Sequence, residues 1–191
     1  MQLTVALNKD IPALTSALLS HPEPYAPFLP LLSQSSNPED PVPLLTSSVL
    51  TSLISLALTT SAKPTNLSLE TAKALPKLYS YLSGLAKSSD SGLQDIAVQA
   101  YSALLRTKKA REIFWKQQAE TVLPLIEILR TAAGVGNNGE TSTLWSGNGS
   151  TRGAAESGLG GAVGLQLLYH VLLVLWQLSF EGTLVGDGLQ Q

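Results

Sequence analysis

The sequence predicts an all-α fold, an armadillo- or HEAT-type helical repeat solenoid, and three observations carry this prediction. Leucine occurs 37 times, whereas valine (10) and isoleucine (6) are far rarer, and leucine favours helices while β-branched residues favour strands. Apolar residues recur at helical spacing in several stretches, without a convincing period-two alternation. A Leu-Pro signature also recurs with a period in the mid-forties, which is typical of stacked two-helix units.

Composition excludes several functional classes. Apolar residues make up 44% of the 191 residues and charged residues 14%, with a net charge of −2. This balance excludes a disordered chain and argues against a broad basic surface for nucleic acid. The chain has no cysteine and only two histidines, His21 and His170, so thiolate chemistry is excluded and a metal site is hard to build. We therefore predict no catalytic residue, no metal and no cofactor.

The repeat signature occurs three times, at intervals of 46 and 48 residues. We expect each copy early in the first helix of a unit, where proline is tolerated because first-turn N–H groups lack intrahelical partners. A second, more apolar helix follows each copy, over about 44–60, 92–106 and 162–180. Asp90 or Ser91 is placed to cap the middle one. The three copies are Leu29-Pro30-Leu31-Leu32, Leu75-Pro76-Lys77-Leu78 and Leu123-Pro124-Leu125-Ile126.

The third unit contains an insertion. Residues 134–161 hold nine of the 15 glycines and seven serines or threonines, and such a segment buries too little apolar surface to offset its ordering entropy. We interpret it as a disordered insertion loop within a single solenoid that spans residues 1–191. Residues 108–116 add a short helix, which fits the three-helix armadillo variant.

The segment 162–180 is long and apolar enough to be weighed as a membrane span. Its polar residues Gln166, His170, Gln177 and Glu181 project onto one narrow face of a helix. No lysine or arginine flanks its C-terminal end. We therefore interpret it as the inner helix of a solenoid, and we expect no direct membrane insertion. The N-terminus lacks the pattern of a signal peptide, which indicates the cytosol.

Five of the 12 positive charges fall within 11 residues. They fit a helix C-terminus, whose carbonyl dipoles favour cations, followed by a solvated turn. A contact patch for an acidic protein partner is the functional alternative to this favoured interpretation, whereas nucleic acid is not expected because no aromatic platform is interleaved with them. The isolated carboxylates Asp90 and Asp95 are interpreted as charge at a helix start. The candidate partner-binding residues are Arg106, Lys108, Lys109, Arg111 and Lys116, together with Gln166, His170 and Gln177.

Two stretches resemble a known family. The helix from Gly164 to Glu181 reads GLQLLYHVLLVLWQLSFE, and it looks like a segment of the H subunit of the vacuolar proton-pumping ATPase. The stretch Arg111-Glu112-Ile113-Phe114-Trp115, followed by Val122-Leu123-Pro124-Leu125, resembles the fungal members of this family. The resemblance covers most of the chain from about Leu67 onward.

The resemblance implies a peripheral-sector subunit that does not hydrolyse ATP. Such a subunit bridges the catalytic and membrane sectors through the peripheral stalk, is needed for coupled pumping and helps to silence hydrolysis once the sectors separate. It lies at the cytoplasmic face of the vacuolar membrane, or in the cytosol after dissociation. Family members are longer and have a further C-terminal helical domain, so we expect this chain to be a fragment. The alternative is an unrelated armadillo or HEAT adaptor for an extended peptide.

Overall fold

The computed structural model describes residue 17 and residues 19–35, 37, 39–60, 67–132 and 165–180. All regular secondary structure in these ranges is helical, which confirms the predicted fold class. The insertion at 134–161 lies outside the described residues, and the single-domain organisation stays a prediction. The elements are a 3₁₀ helix η1 (Leu29–Ser33) and the α-helices α1 (Pro41–Thr60), α2 (Leu69–Ala86), α3 (Ser91–Leu104), α4 (Lys108–Lys116), α5 (Gln118–Ala132) and α6 (Leu165–Ser179).

The helices stack as successive units of two main helices. Within the units, η1 packs on α1, α2 on α3 and α5 on α6. Between units, α2 contacts η1 and α5 in one layer, while α3 lies between α1 and α6 in the other. The Ser55 hydroxyl of α1 also donates a hydrogen bond to the Ala103 carbonyl of α3, at 3.4 Å. Because each unit buries its apolar face mainly against its neighbours, the arrangement is that of a solenoid.

Short polar side chains begin the middle helices. Ser68 caps α2, Asp90 caps α3 and Thr107 caps α4, and each side chain accepts a hydrogen bond from a backbone N–H of the first turn. These bonds satisfy N–H groups that have no intrahelical partner. The predicted cap at Asp90 is confirmed, with its carboxylate accepting from the backbone N–H groups of Gly92 and Leu93.

Three fully buried rings join α2, α3 and α4. Tyr79, Tyr101 and Phe114 meet edge to face, with ring centroids 4.9 to 6.0 Å apart, which is a favoured geometry for aromatic quadrupoles. The Tyr79 hydroxyl donates to the Ala110 carbonyl at 3.3 Å, and the Tyr101 hydroxyl donates to the Tyr79 carbonyl at 3.4 Å. Burial raises the pKa of both tyrosines because it disfavours the phenolate. The short helix α4 is therefore part of the core.

The prolines of the second and third signatures do not lie in a first turn, so that prediction is wrong. Pro76 is the eighth residue of α2 and Pro124 the seventh residue of α5, because both helices begin well before the signature. A helix-interior proline removes an N–H donor from the helix. In α5 the carbonyl of Glu120 would have accepted that bond, and the hydroxyl of Ser83 on α2 donates to this carbonyl instead. A contact between units thus compensates for the proline.

One helix within the described ranges, Pro41–Thr59, is apolar and long enough to cross a membrane, by length and composition alone. This is weak evidence because the core helix of a soluble protein passes the same test. One side of this helix, with Leu50, Ile54 and Leu58, is buried in the core. Helix α6 lies in the segment whose sequence was weighed as a membrane span. It has 15 residues and packs against α3 and α5.

We predict that Ser83→Ala lowers the free energy of unfolding by about 1–3 kcal/mol, because it leaves the Glu120 carbonyl without its donor. Urea denaturation followed by circular dichroism measures this loss. In a Pro124→Ala background the new backbone N–H can reach the same carbonyl, so Ser83→Ala should cost less there. Pro76→Ala is the matched control, and in that background the cost should be unchanged. An equal cost in all three backgrounds would contradict the role of Ser83.

Candidate functional site

The polar residues of α6 face α3 and join the two helices. His170 Nδ1 lies 2.8 Å from Asp95 Oδ1, and Gln166 Nε2 donates to Asp95 Oδ2 at 3.1 Å. Further along, Gln177 Nε2 donates to the Ser102 carbonyl at 3.1 Å. The side chains of His170 and Asp95 are only about one-fifth exposed, at 19% and 21%. The structure therefore places three of the candidate partner-binding residues in a contact between repeat units.

Asp95 is the centre of this contact. Besides His170 and Gln166, it accepts a hydrogen bond from Gln99 Nε2 at 2.8 Å. Its carboxylate oxygens are thus occupied by three donors, which offsets the cost of its partial burial. The sequence suggested only a charge near a helix start, because the main partner lies 75 residues away. One signal could have found it: Asp95 and Gln99 form a polar row on one inner helix, as Gln166 and His170 do on the next.

Two of the five basic residues are engaged locally. Arg111 Nη1 donates to the carbonyl of Leu105, the C-cap residue of α3, at 3.1 Å, which fits the interpretation of cations at a helix C-terminus. Lys109 Nζ forms an ion pair with Glu112 Oε2 at 3.0 Å. The structure thus brings Lys109 and Arg111 together on α4, within one or two turns of the end of α3.

The remaining basic side chains keep this surface positive. Arg106, Lys108 and Lys116 are exposed, and the charges of Lys108 and Lys116 act on the same carboxylate that pairs with Lys109. The pKa of Glu112 is lowered, chiefly by the hydrogen bond from Lys109 and in smaller part by the charges of Lys109, Lys108 and Lys116. One carboxylate therefore lies among several cations, and the turn between α3 and α4 presents a net positive surface.

Two clefts lie between described helices, and neither contains an acid–base pair. A cleft of about 630 Å³ lies between η1 and α2 and includes Lys77 and Tyr81 in its lining, and one of about 310 Å³ lies between α1 and α3 among small side chains such as Ser48 and Ala103. Neither of these two clefts is lined by a carboxylate or a histidine. Among the described residues, no group of three or more His, Asp or Glu side chains could hold a metal ion.

The fold consists of stacked helix pairs that are joined by polar contacts between units, with a positively charged turn between α3 and α4. This arrangement defines an α-helical repeat protein of the solenoid class. Over residues 5–191 the sequence matches the family model described as the H subunit of the V-ATPase. The chain therefore belongs to the V-ATPase H-subunit family. Neither the comparison with curated proteins nor that with solved structures gave a match.

Family membership confirms the resemblance that the sequence of α6 and of residues 111–125 indicated. It also removes the alternative of an adaptor unrelated to the vacuolar ATPase. Proteins of this family are accessory subunits of that ATPase and associate with its other subunits. The role of the basic residues and of Gln166, His170 and Gln177 in binding partners stays a prediction.

We predict that Asp95→Ala lowers the free energy of unfolding by about 1–3 kcal/mol, because three side-chain donors lose their acceptor together. Chemical denaturation measures this loss. Glu70→Ala is the control, since it removes a carboxylate in the first turn of α2 that pairs with the exposed Lys73, and surface pairs and first-turn charges each contribute about 0–1 kcal/mol. Equal losses for the two variants would contradict a structural role for the Asp95 contact.

We predict that Lys109→Ala raises the pKa of Glu112 toward its ordinary value, because the hydrogen bond from Lys109 is the largest cause of the lowering. Carboxyl NMR titration measures it. Since the folded-state pKa lies below the unfolded one, the stabilisation is complete above the ordinary glutamate pKa of about 4.3 and is lost as the pH falls through the folded-state value. Lys73→Ala is the control and should leave the Glu112 titration unchanged.

Proposed function

We propose that this chain is a non-catalytic regulatory and structural subunit in the peripheral sector of the vacuolar proton-pumping ATPase. In this role it bridges to the peripheral stalk and supports ATP-driven proton transport from the cytoplasmic face of the vacuolar membrane. After dissociation of the sectors it resides in the cytosol. The observation that carries the proposal is the match to the H-subunit family of the V-ATPase over residues 5–191.

The construction of the repeat array supports a bridging role. A bridge must transmit force between two bodies, so its units must be joined by more than one kind of contact. Here the units share buried apolar side chains, the hydrogen bond from Ser83 to the Glu120 carbonyl and the polar contact centred on Asp95. Since each contact joins neighbouring units, the described helices resist sliding past each other.

The positive turn supports contact with acidic surfaces of other subunits. Charges at the rim of an interface mainly set the rate and the specificity of association, and Arg106, Lys108 and Lys116 are exposed there. Lys109 and Arg111 hold the turn together through Glu112 and the Leu105 carbonyl. We propose that Gln166, His170 and Gln177 influence partners by fixing the position of α6 against α3.

The proposal predicts that the tagged chain co-purifies with peripheral-stalk subunits from vacuolar membranes and increases ATP-driven acidification of vesicles from cells that lack their own copy of this protein. Arg106→Glu combined with Lys108→Glu should reduce recovery several-fold at low salt, because these charges would then repel an acidic partner. Lys73→Glu on α2 combined with Lys87→Glu at the C-cap of α2 is the matched control. A chain that is folded but absent from every ATPase preparation would contradict the proposal.

The purified chain alone should show no ATP hydrolysis above a buffer control. Phosphate release at saturating ATP and Mg²⁺ measures it. Hydrolysis that survives further purification and is abolished by a point substitution in the chain would contradict the non-catalytic assignment.

A further inference from the structure

An apolar row lies exposed on α6. Its members follow one another at intervals of three or four residues, which places them on one face of the helix. Trp176 and Phe180 also contact each other edge to face, with ring centroids 4.9 Å apart. Contiguous exposed apolar patches of a few hundred Å² often mark binding sites. The row consists of Tyr169 (62% exposed), Leu172 (52%) and Trp176 (60%) of α6, continued by Phe180 (59%), the residue that follows the helix.

The row points away from both neighbours of α6. At about 100° per residue, its centre lies opposite the buried side of the helix, which carries Leu167, Val171, Val174 and Leu178. The side that faces α3 lies about a quarter turn from the row and about a quarter turn from the buried side. It carries Gln166, His170 and Gln177. The row is therefore on the open face of the repeat array, beside the contact with α3.

A further repeat unit would not cover this row. Successive inner helices lie side by side, so a unit stacked on α6 would pack on the flank opposite α3. On the helical wheel that flank carries Leu168 and Leu175, which are half-buried. The three aromatic members of the row lie on the open face rather than on that flank, and only Leu172 lies near its border. Stacking of a further unit on α6 would therefore leave the open face uncovered.

The size of the row favours a single helix as the occupant. With aromatic side chains of 150–250 Å² each, exposed fractions near 0.6 correspond to roughly 400–500 Å² for the whole row. A stable interface between two folded proteins needs about 800 Å² on each side, so the row is too small for a second copy of this chain. Its 11-residue length is about 16 Å, which matches about three turns of a helix with apolar residues at i, i+3 and i+7.

The charges at one end of the row favour an acidic helix. Because Gln177 donates to the Ser102 carbonyl, the C-terminal end of α6 lies beside the end of α3. Arg106 and Lys108 follow there and are exposed. The nearest carboxylate along α3, Asp95, lies at the opposite end of the row and is occupied by its three donors. The open face thus combines an apolar row with positive charge at one end.

We propose that the open face of α6 is the docking surface for an amphipathic helix of a partner protein, with acidic residues beside its apolar face. The inference rests on the proposed function, which it deepens by naming the surface and the chemistry of the partner. The apolar side of the partner helix packs on Tyr169, Leu172, Trp176 and Phe180, and its acidic residues face Arg106 and Lys108.

Two synthetic helical peptides with the same leucine row test the surface on the full chain. One carries glutamates beside the row and the other carries lysines at the same positions, and binding is measured by calorimetry. We expect the glutamate peptide to bind at least tenfold more tightly than the lysine peptide. Trp176→Ser combined with Phe180→Ser should weaken its binding at least tenfold. Leu45→Ser combined with Val49→Ser is the matched control on the exposed apolar face of α1.

The charge contribution has its own pair of variants. Arg106→Glu should weaken binding of the glutamate peptide several-fold, whereas Lys87→Glu at the C-cap of α2 should leave it unchanged. If the double variant of the row melts below the parent chain, the single variants Trp176→Ala and Tyr169→Ala replace it. Unchanged binding by the row variants, or equal loss in the α1 control, would overturn the proposal. The proposal would also be overturned if the chain bound anionic lipid vesicles but neither peptide, and if the row variants abolished this lipid binding.

Co-purification with the vacuolar ATPase separates this inference from the proposed function. If the chain and its row variants are all recovered equally with the ATPase, the proposed function stands and the docking surface is wrong. If the parent chain is not recovered at all, the proposed function fails, and the peptide measurements alone decide the surface. Loss of recovery only in the row variants supports both.

Discussion

The packing of α3 between two neighbouring inner helices is the interaction on which the other features depend. Its buried side contributes Tyr101 and Leu104 to the core, and its flanks meet α1 and α6. A single pair of helices cannot bury such a surface, so stability arises from the stacking of successive units. Because α4 supplies Phe114 to the same aromatic cluster, the turn that carries the basic residues is attached to this core.

Polar contacts between units set the register of the stack. Apolar packing tolerates small shifts between helices, whereas the bond between His170 and Asp95 and the bond between Gln177 and the Ser102 carbonyl require one alignment of α6 with α3. Buried or half-buried polar groups that lose their partners are costly. The same alignment decides which side of α6 faces outward, so the polar contact and the exposed aromatic row are two consequences of one arrangement.

Two exposed surfaces carry the partner contacts proposed for this member of the V-ATPase H-subunit family. The charged turn follows the end of α3, which lies beside the C-terminal end of α6, so the proposed partner helix would contact both the turn and the apolar row. In the proposed role, the described interior contributes rigidity and these exposed surfaces contribute recognition. This division is common in repeat proteins, because stacking leaves one long face of each inner helix uncovered.

The sequence by itself determined the helical class and the cap at Asp90, because both depend on residues within a few helical turns. It also determined the period of the repeat and the family of the chain, because both are patterns along the chain that need no knowledge of how the helices pack. The tertiary structure decided how Pro124 is tolerated, since the donor to the Glu120 carbonyl comes from Ser83 on another unit. It also decided that Asp95 pairs with His170, and which face of α6 is exposed. These features depend on how one unit lies against the next, and periodicity within a single helix contains no information about that alignment.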